Sequence, residues 1–550
     1  HCGNIGFVGA LEMGVAQNTR RVLVIGLDAA DIELLKLWSD EGSLPVIESL
    51  MHRGLWGELK TITDISHTAV WPSIISGTNP GKHGIYNIYQ AAPYDYKIFR
   101  VKAQQCASPP VWKLLDANGT KCIVIDAPFD CTIDGFHGIQ ILEWGSWVRY
   151  TGRGGNPAAV WDRLVQKCGL PPIENETTAQ WFMAEELSRL RDWLLEGIAK
   201  KGEAVSWLMQ TQDWEFLLAV FPETHPAGHF FWHLHDPHYE AFSEKLQKKL
   251  GNYLKDVYRK IDAVIGQIVA GLEERDILLI VSGDRIGPNY SGWHLLPTVL
   301  AQLSFLRTKG NYSQDASGGG VSNRHDWLKR LRDRIPEKLR KKIGTALPPS
   351  LQFRMWQRWT NPNLDWANTK CFYVPNDCQG HIRINLRGRE PLGCVEPGRE
   401  YDALCLEIKE QFEKIVNPNN SESVVKEVVR TDRLFSGQRA GELPDLAVIW
   451  NEDARLTTEM FSDKIGLVKS QQPAYAIPPY YVGNHRGPGF AILHGPGVKA
   501  GRLAEDSHIY DIAPTLLAFF QYTIPASMDG RLWHAIDDGA QIKENCCGRS

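Results

Sequence analysis

Positive charge is not in surplus in this 550-residue chain: 60 lysines and arginines stand against 64 aspartates and glutamates, for a formal net charge of −4. Proteins that hold a nucleic-acid polymer by its phosphates usually carry a basic excess, so that class of partner is set aside. No run of about 18 apolar residues occurs, which leaves no candidate transmembrane helix. The apolar stretch from Ile5 to Val15 is broken by Glu12 and has neither a basic flank nor an evident cleavage site, so no signal peptide is expected. The eleven cysteines are odd in number and none is spaced as CxxC; they read as reduced thiols of a cytoplasmic protein. Internal repeats and low-complexity tracts are missing as well, which excludes solenoids and leaves no reason to expect extended disorder.

What is present is a globular composition, 43% hydrophobic and 23% charged, at a length that accommodates a large enzyme with insertions. The nineteen tryptophans are expected mostly in the core. Arg20 and Arg21 lead into the apolar run Val22–Leu27, which ends at Asp28. A short apolar run closed by a polar residue at its carboxyl end is the pattern of a parallel strand buried on both faces. Comparable runs cover residues 121–125 (before Asp126), 215–221, 276–281 and 446–450, with helical patterns between them, among them 204–211 and 239–273. This alternation predicts an α/β fold: a doubly wound, mostly parallel central sheet with helices on both faces. Ligands of such sheets sit beyond the carboxyl ends of the strands. Asp28, the segment 223–229 and Asp284 all directly follow strand runs, which marks that edge as the expected site.

Residues 296–366 interrupt the alternation. No strand is legible there, and 324–342 is a basic helical stretch that includes Lys329, Arg330, Lys341 and Lys342. It predicts a solvated helical insertion, with contact to an acidic membrane surface as the alternative that Trp356 and Trp359 favour. The α/β pattern then resumes, with 380–386 alternating as a strand and 400–416 as an amphipathic helix. The expected organisation is therefore a first part of the core over 20–295, the insertion over 296–366, a second part of the core over 367–535, and tails at 1–19 and 536–550.

The segment from Ser66 to Ile85, SHTAVWPSIISGTNPGKHGI, is the most informative in the chain. A hydroxyl where a helix begins meets free backbone N–H groups and the positive end of the helix dipole, which suits an incoming phosphate. Threonine and serine are also ordinary helix caps, but a cap alone does not account for the motif downstream of Thr68. Ser76-Gly77 and Asn79-Pro-Gly-Lys-His-Gly-Ile85 resemble the nucleophile region of the alkaline phosphatase superfamily, in particular its type I phosphodiesterase/nucleotide pyrophosphatase family. The resemblance extends to Gly26-Leu-Asp28, to His229-Phe-Phe-Trp232, and to Gly483-Asn-His-Arg486 with Gly495-Pro-Gly-Val-Lys499. Asp511-Ile-Ala-Pro-Thr515 and Met528-Asp-Gly530 resemble the carboxyl-terminal helix and turn that the family shares with sulfatases. A sulfatase itself is excluded: Cys106-Ala-Ser-Pro-Pro110 is not the C-x-P-x-R context that formylglycine formation needs.

Three departures from the family pattern stand out. Its D-x-x-x-H element reads His225-Pro-Ala-Gly-His229 here, an imidazole in place of a carboxylate. Its S-D-H-G element reads Ser282-Gly-Asp-Arg285, so Gly283 takes the aspartate position and Asp284 the histidine position. The nucleophile Thr68 stands three residues before Trp71, whereas many relatives place it four before, where this chain has His67; Ser66 remains the alternative. The resemblance implies two divalent metal ions, zinc or manganese. Carboxylates and imidazoles hold such ions while leaving positions open, and a pair can serve both the attacking and the leaving oxygen. One ion is expected on His225, His229 and His485, the other on Asp28, Asp284 and the Thr68 hydroxyl.

The function so implied is hydrolysis of a small-molecule phosphate ester, of phosphodiesterase or pyrophosphatase type, through a phosphothreonine at Thr68. A phosphomutase or phosphonate hydrolase on the same fold is the alternative among enzymes. A catalytically silent phosphate-binding relative, its second site emptied by Gly283, is the alternative of another class. Lys82 and His83 are expected either to touch a phosphate or to serve the tight Pro80-Gly81 turn, Asn289 to be a turn residue, and His233, His235 and His238 to lie at a helix end or on the surface.

Overall fold

The computed structural model describes residues 21–146, 148–172, 183–309, 364–477 and 479–533. Nine strands form the central sheet: β1 (Val22–Leu27), β2 (Leu55–Leu59), β3 (Cys122–Ile125), β4 (Ile139–Leu142), β5 (Gly154–Asn156), β6 (Phe216–Phe221), β7 (Ile277–Ser282), β8 (Gly489–His494) and β9 (Gly501–Arg502). They lie side by side in the order β9-β2-β8-β7-β1-β6-β3-β4-β5. The five strands from β7 to β4 run parallel, while β8 is antiparallel to both β7 and β2, and β5 to β4. The sheet is thus mixed but mostly parallel, as the alternation of apolar runs and helical patterns predicts.

Every residue of β1, β6 and β7 is buried, which is why these strands read as continuous apolar runs. Side chains of a strand point alternately to its two faces. Leu23, Ile25 and Leu27 of β1 accordingly join the core beneath the helices Ala184–Thr211 and Tyr253–Val269. Val22 and Val24 join the opposite core, beneath the helices Val70–Ser76 and Ile512–Phe519. Trp38, Trp112 and Trp144 are among the largest fully buried side chains, in line with the expected role of the tryptophans.

Two expectations change. The helical stretch 239–273 is two helices, Glu244–Leu250 and Tyr253–Val269. Gly251 ends the first with φ of 82°, and the Asn252 side chain starts the second by accepting from the Lys255 N–H. The run 446–450 does not belong to the central sheet. Leu446–Trp450 lies in a separate four-stranded antiparallel sheet with Cys371–Val374, Gly380–Ile384 and Val425–Arg430. That sheet shares its own apolar cluster with the helix Arg399–Phe412, through Ile382, Ile408, Phe412 and Val448. Burial dictates the composition of such a run and not its partner, so the sequence reads alike in either sheet. The chain returns to the central sheet only with β8, so the stretch 367–535 supplies strands to both sheets and to two smaller two-stranded ones.

The basic stretch 324–342, Trp356, Trp359 and both tails lie outside the described residues. Among the described residues no helix is long and apolar enough to cross a membrane, and the described cysteines are all free thiols.

Candidate active site

Asp28 follows β1, Asp284 stands two residues after β7, and the helix Thr224–His235 begins three residues after β6. These three strands are neighbours in the sheet, so their carboxyl ends bring the three segments together. His485 arrives from a different direction, on a two-stranded antiparallel ribbon of Arg285–Pro288 and Gly483–Arg486. Two glycines let helix and ribbon touch. A Cβ on Gly228 would stand 2.5 Å from the Ile286 Cβ, and one on Gly483 would overlap the Gly228 carbonyl oxygen. The contact lets His229 donate from Nδ1 to the Gly483 carbonyl oxygen at 2.7 Å.

The three histidines converge. His225 Nε2 lies 2.8 Å from His229 Nε2 and 3.1 Å from His485 Nε2. Ligand atoms of the three all fall within 4.8 Å of one another, the one grouping of metal-ligating side chains found among the described residues. Each ring has an acceptor at its other nitrogen: Asp28 Oδ2 at 3.1 Å from His225 Nδ1, the Gly483 carbonyl for His229, and Asp284 Oδ2 at 2.8 Å from His485 Nδ1. A proton on each Nδ1 leaves three Nε2 lone pairs facing one point. Lone pairs so placed repel unless a cation lies among them, and a set of neutral imidazoles fits a borderline divalent ion such as Zn²⁺. Burial, reinforced by the neighbouring imidazoles, holds His229 and His485 well below the ordinary imidazole range, so both are neutral as a ligand must be. Burial also lifts Asp284 well above the carboxylate range, with repulsion from Asp28 and Asp64 adding to it. Asp28 is engaged at both oxygens, since its Oδ1 accepts from Trp71 Nε1 at 2.7 Å.

Thr68 does not cap a helix. It sits inside the 3₁₀ turn His67–Ala69, and the helix Val70–Ser76 starts after that turn. Its side chain lines one pocket with Asp28, His225, His229, Asp284 and His485, so the structure brings all six expected residues together. Ser66 is not among the lining residues; it is buried, and its hydroxyl donates to the Tyr86 carbonyl oxygen.

In this pocket, or directly behind its lining, stand residues that the sequence pattern did not assign. Gln379 donates from Nε2 to the Thr63 carbonyl oxygen at 2.6 Å, which turns its Oε1 toward His67 Nδ1 at 2.9 Å. The proton of His67 is thereby set on Nδ1, and Nε2 is left as acceptor for the Thr68 hydroxyl at 3.3 Å. The His67 ring also stacks on that of His485, with centroids 4.5 Å apart. A signal for His67 existed, because it holds the position at which relatives place the nucleophile. No comparable signal marked Gln379 or the pocket residue Asp377, more than 300 positions along the chain. Asp126 lines the pocket at the end of β3, where its carboxylate meets the buried ammonium of Lys201 and accepts from the Gly145 N–H at 2.8 Å.

Lys82, His83 and Asn289 are not among the residues lining the pocket, and each makes its contacts within the fold. His83 is fully buried, with Nε2 3.0 Å from Ser73 Oγ and Nδ1 accepting from the Ile85 N–H at 3.1 Å. Lys82 bonds the Ser527 carbonyl oxygen at 2.8 Å and Asp529 Oδ1 at 2.5 Å. Asn289 donates to the Tyr481 carbonyl oxygen at 2.8 Å. His233 lies in the last turn of its helix, where it is buried, and burial pushes it down to about 4.

No curated protein sequence matches the chain. Among solved structures it is similar to phosphonoacetate hydrolase from Sinorhizobium meliloti 1021, at 12% identity over 91% of this chain and 95% of that one, with a TM-score of 0.45. It is also similar to human ectonucleotide pyrophosphatase/phosphodiesterase 5, at 11% identity over 93% and 97% of the two chains, with a TM-score of 0.45. At that level of likeness neither protein's activity transfers to this chain. The family model for type I phosphodiesterase/nucleotide pyrophosphatase, by contrast, matches residues 22–296, half of the chain and all of the site except His485 and the Asp377–Gln379 loop, and this protein belongs to that family.

Proposed function

We propose that this protein is a metal-dependent hydrolase of small phosphate esters, with Thr68 as its nucleophile. One observation carries the reading: three imidazole Nε2 atoms converge beside a threonine hydroxyl that has its own hydrogen-bond acceptor in His67. A nucleophile, an acceptor for its proton and a group that orients the acceptor make a working set for covalent phosphoryl transfer.

In the forward step Thr68 Oγ bonds to phosphorus, the bond from phosphorus to the leaving oxygen breaks, and the hydroxyl proton passes to His67 Nε2. Gln379 keeps the His67 ring in the orientation that accepts this proton. Water then attacks the phosphothreonine: its oxygen bonds to phosphorus and the bond from phosphorus to Thr68 Oγ breaks. Thr68 Oγ recovers the proton from His67 Nε2, and the proton released by the water neutralises the expelled leaving oxygen through solvent. A divalent cation held by His225, His229 and His485 would stabilise negative charge on the phosphoryl oxygens as they pass through the transition state. Phe129, Val148 and Tyr481 form an apolar part of the pocket wall, which limits the access of bulk water to that charge.

The test is hydrolysis of p-nitrophenyl phosphate and bis-p-nitrophenyl phosphate by the metal-loaded full chain. Thr68→Ala is expected to lower kcat by about 10³-fold or more while metal content stays unchanged. Substantial turnover by the Thr68→Ala protein, or none by the loaded native chain on either ester, overturns the reading.

A further inference from the structure

The family resemblance implies a second metal site on Asp28, Asp284 and Thr68, in addition to the tri-imidazole one. We propose instead that the centre is mononuclear: one divalent cation on His225, His229 and His485, with Asp28 and Asp284 acting on that cation through the imidazoles. The proposal rests on the proposed function, in which the three imidazoles hold a cation, and it assigns the two carboxylates a different task.

Three features of the second site lead to this. First, each carboxylate faces a ligand histidine from behind. Asp28 Oδ2 takes His225 Nδ1 at 3.1 Å and Asp284 Oδ2 takes His485 Nδ1 at 2.8 Å, while the remaining Asp28 oxygen takes the Trp71 indole N–H at 2.7 Å. Carboxylates in that position fix the ring and its tautomer and raise the basicity of the ligating nitrogen. Second, the carboxylate missing at Gly283 has no space to return to. A Cβ at Gly283 would overlap Val70 Cγ1 and stand 2.6 Å from Ile74 Cδ1, so two apolar side chains of the Val70–Ser76 helix fill the volume. A site that had only lost a ligand would leave a gap; this one is packed shut. Third, the Thr68 hydroxyl has an imidazole acceptor in His67, so the deprotonating role that a second cation plays for a bound hydroxyl already has an occupant.

Histidine at position 225 is the change that makes this arrangement self-consistent. An aspartate there would leave Asp28 facing another carboxylate, whereas an imidazole converts Asp28 from a competing anion into a hydrogen-bond acceptor. Two of the substitutions that separate this chain from the family pattern, His225 and Gly283, thus point the same way.

Asp28 and Asp284 are positioning residues under this proposal, and metal stoichiometry separates that role from direct ligation. The full chain is stripped with a chelator, reconstituted with Zn²⁺, Co²⁺ or Mn²⁺, and freed of excess metal before elemental analysis. One ion per chain is expected, with an isolated, uncoupled Mn²⁺ electron paramagnetic resonance signal. Asp28→Asn and Asp284→Asn are expected to keep one ion per chain and to raise its dissociation constant by about 10–100-fold. Two ions per chain in the native protein, a spin-coupled signal, or a fall from two ions to one in either variant overturns the mononuclear centre and leaves the proposed function standing. No bound ion in the native chain overturns the proposed function itself. Stoichiometry and spectrum of the native chain decide the question even where a variant fails to fold.

Discussion

Asn79-Pro-Gly-Lys-His83 and His225-Pro-Ala-Gly-His229 are built from the same ingredients, a proline and a glycine near the start of a helix and a buried histidine at the end of the motif. Burial drives both histidines toward the neutral form, His83 to about 3 and His229 well below the ordinary range. Neither exposure nor proton affinity tells them apart. What differs is where the second ring nitrogen goes. His83 has both nitrogens satisfied within its own neighbourhood, by Ser73 Oγ and the Ile85 N–H. His229 has one nitrogen on the Gly483 carbonyl and the other turned toward His225, in a pocket that also contains Thr68. A histidine closed at both nitrogens is part of the scaffold, and one left open toward other imidazoles is available to a cation.

Removing the open histidine puts that distinction to its hardest test. His229→Ala is expected to abolish metal binding and to lower kcat by at least about 10³-fold, with far-ultraviolet circular dichroism unchanged. Native metal content in that variant would place His229 beside His83 as a scaffold residue.

The same contrast explains what the sequence reveals and what it conceals. The strands β1, β6 and β7 were legible because burial on both faces leaves an unbroken apolar run, and the acidic residue or helix after each marked the site edge. Leu446–Trp450 has the same signature and belongs to another sheet, because a run records burial and not pairing. The six residues Asp28, Thr68, His225, His229, Asp284 and His485 could be named because motifs carry them. Their division of labour could not. Whether Asp28 meets a metal or His225 Nδ1 depends on distances between segments about 200 residues apart, and no local pattern encodes that. Gln379 illustrates the limit most plainly, since only the fold brings its amide to His67.

On the scaffold side the closed histidine predicts a smaller effect. The His83 imidazole has a folded-state value of about 3, against roughly 6.5 when unfolded. Between those values the unfolded chain binds a proton that the folded chain refuses. This contribution to stability is therefore complete above about pH 6.5 and is lost as the pH falls toward 3. From pH 7 to pH 5 the loss from this one group amounts to about 2 kcal/mol. Denaturant unfolding of the native chain and of His83→Gln at both pH values checks it: the variant is expected to lose about 2 kcal/mol less over the interval. Other buried histidines, such as His381 and His294, titrate alike in both proteins and cancel in the difference. Equal losses would mean that His83 is not held neutral by its surroundings.

The smallest expected effect concerns Lys82, which adjoins His83 in the motif and has the charge to attract a phosphate. Its ammonium instead bridges to the carboxyl-terminal turn, bonding the Ser527 carbonyl oxygen and the Asp529 carboxylate. Asp529 in turn accepts from the backbone and side-chain nitrogens of Asn79, at 2.8 and 2.9 Å. The ion pair is only partly buried, with side-chain exposures of 27% and 25%. Partial solvation keeps the contribution of such a pair to about 1 kcal/mol or less. Lys82→Met, which preserves the length and apolar stem of the side chain, is thus expected to lower the unfolding free energy by no more than that. KM for p-nitrophenyl phosphate and the metal content should both match the native chain, because Lys82 is absent from the residues lining the Thr68 pocket. A several-fold rise in KM at unchanged stability would move Lys82 to the substrate side, and the motif that now reads as a staple between two ends of the fold would have to include a phosphate contact.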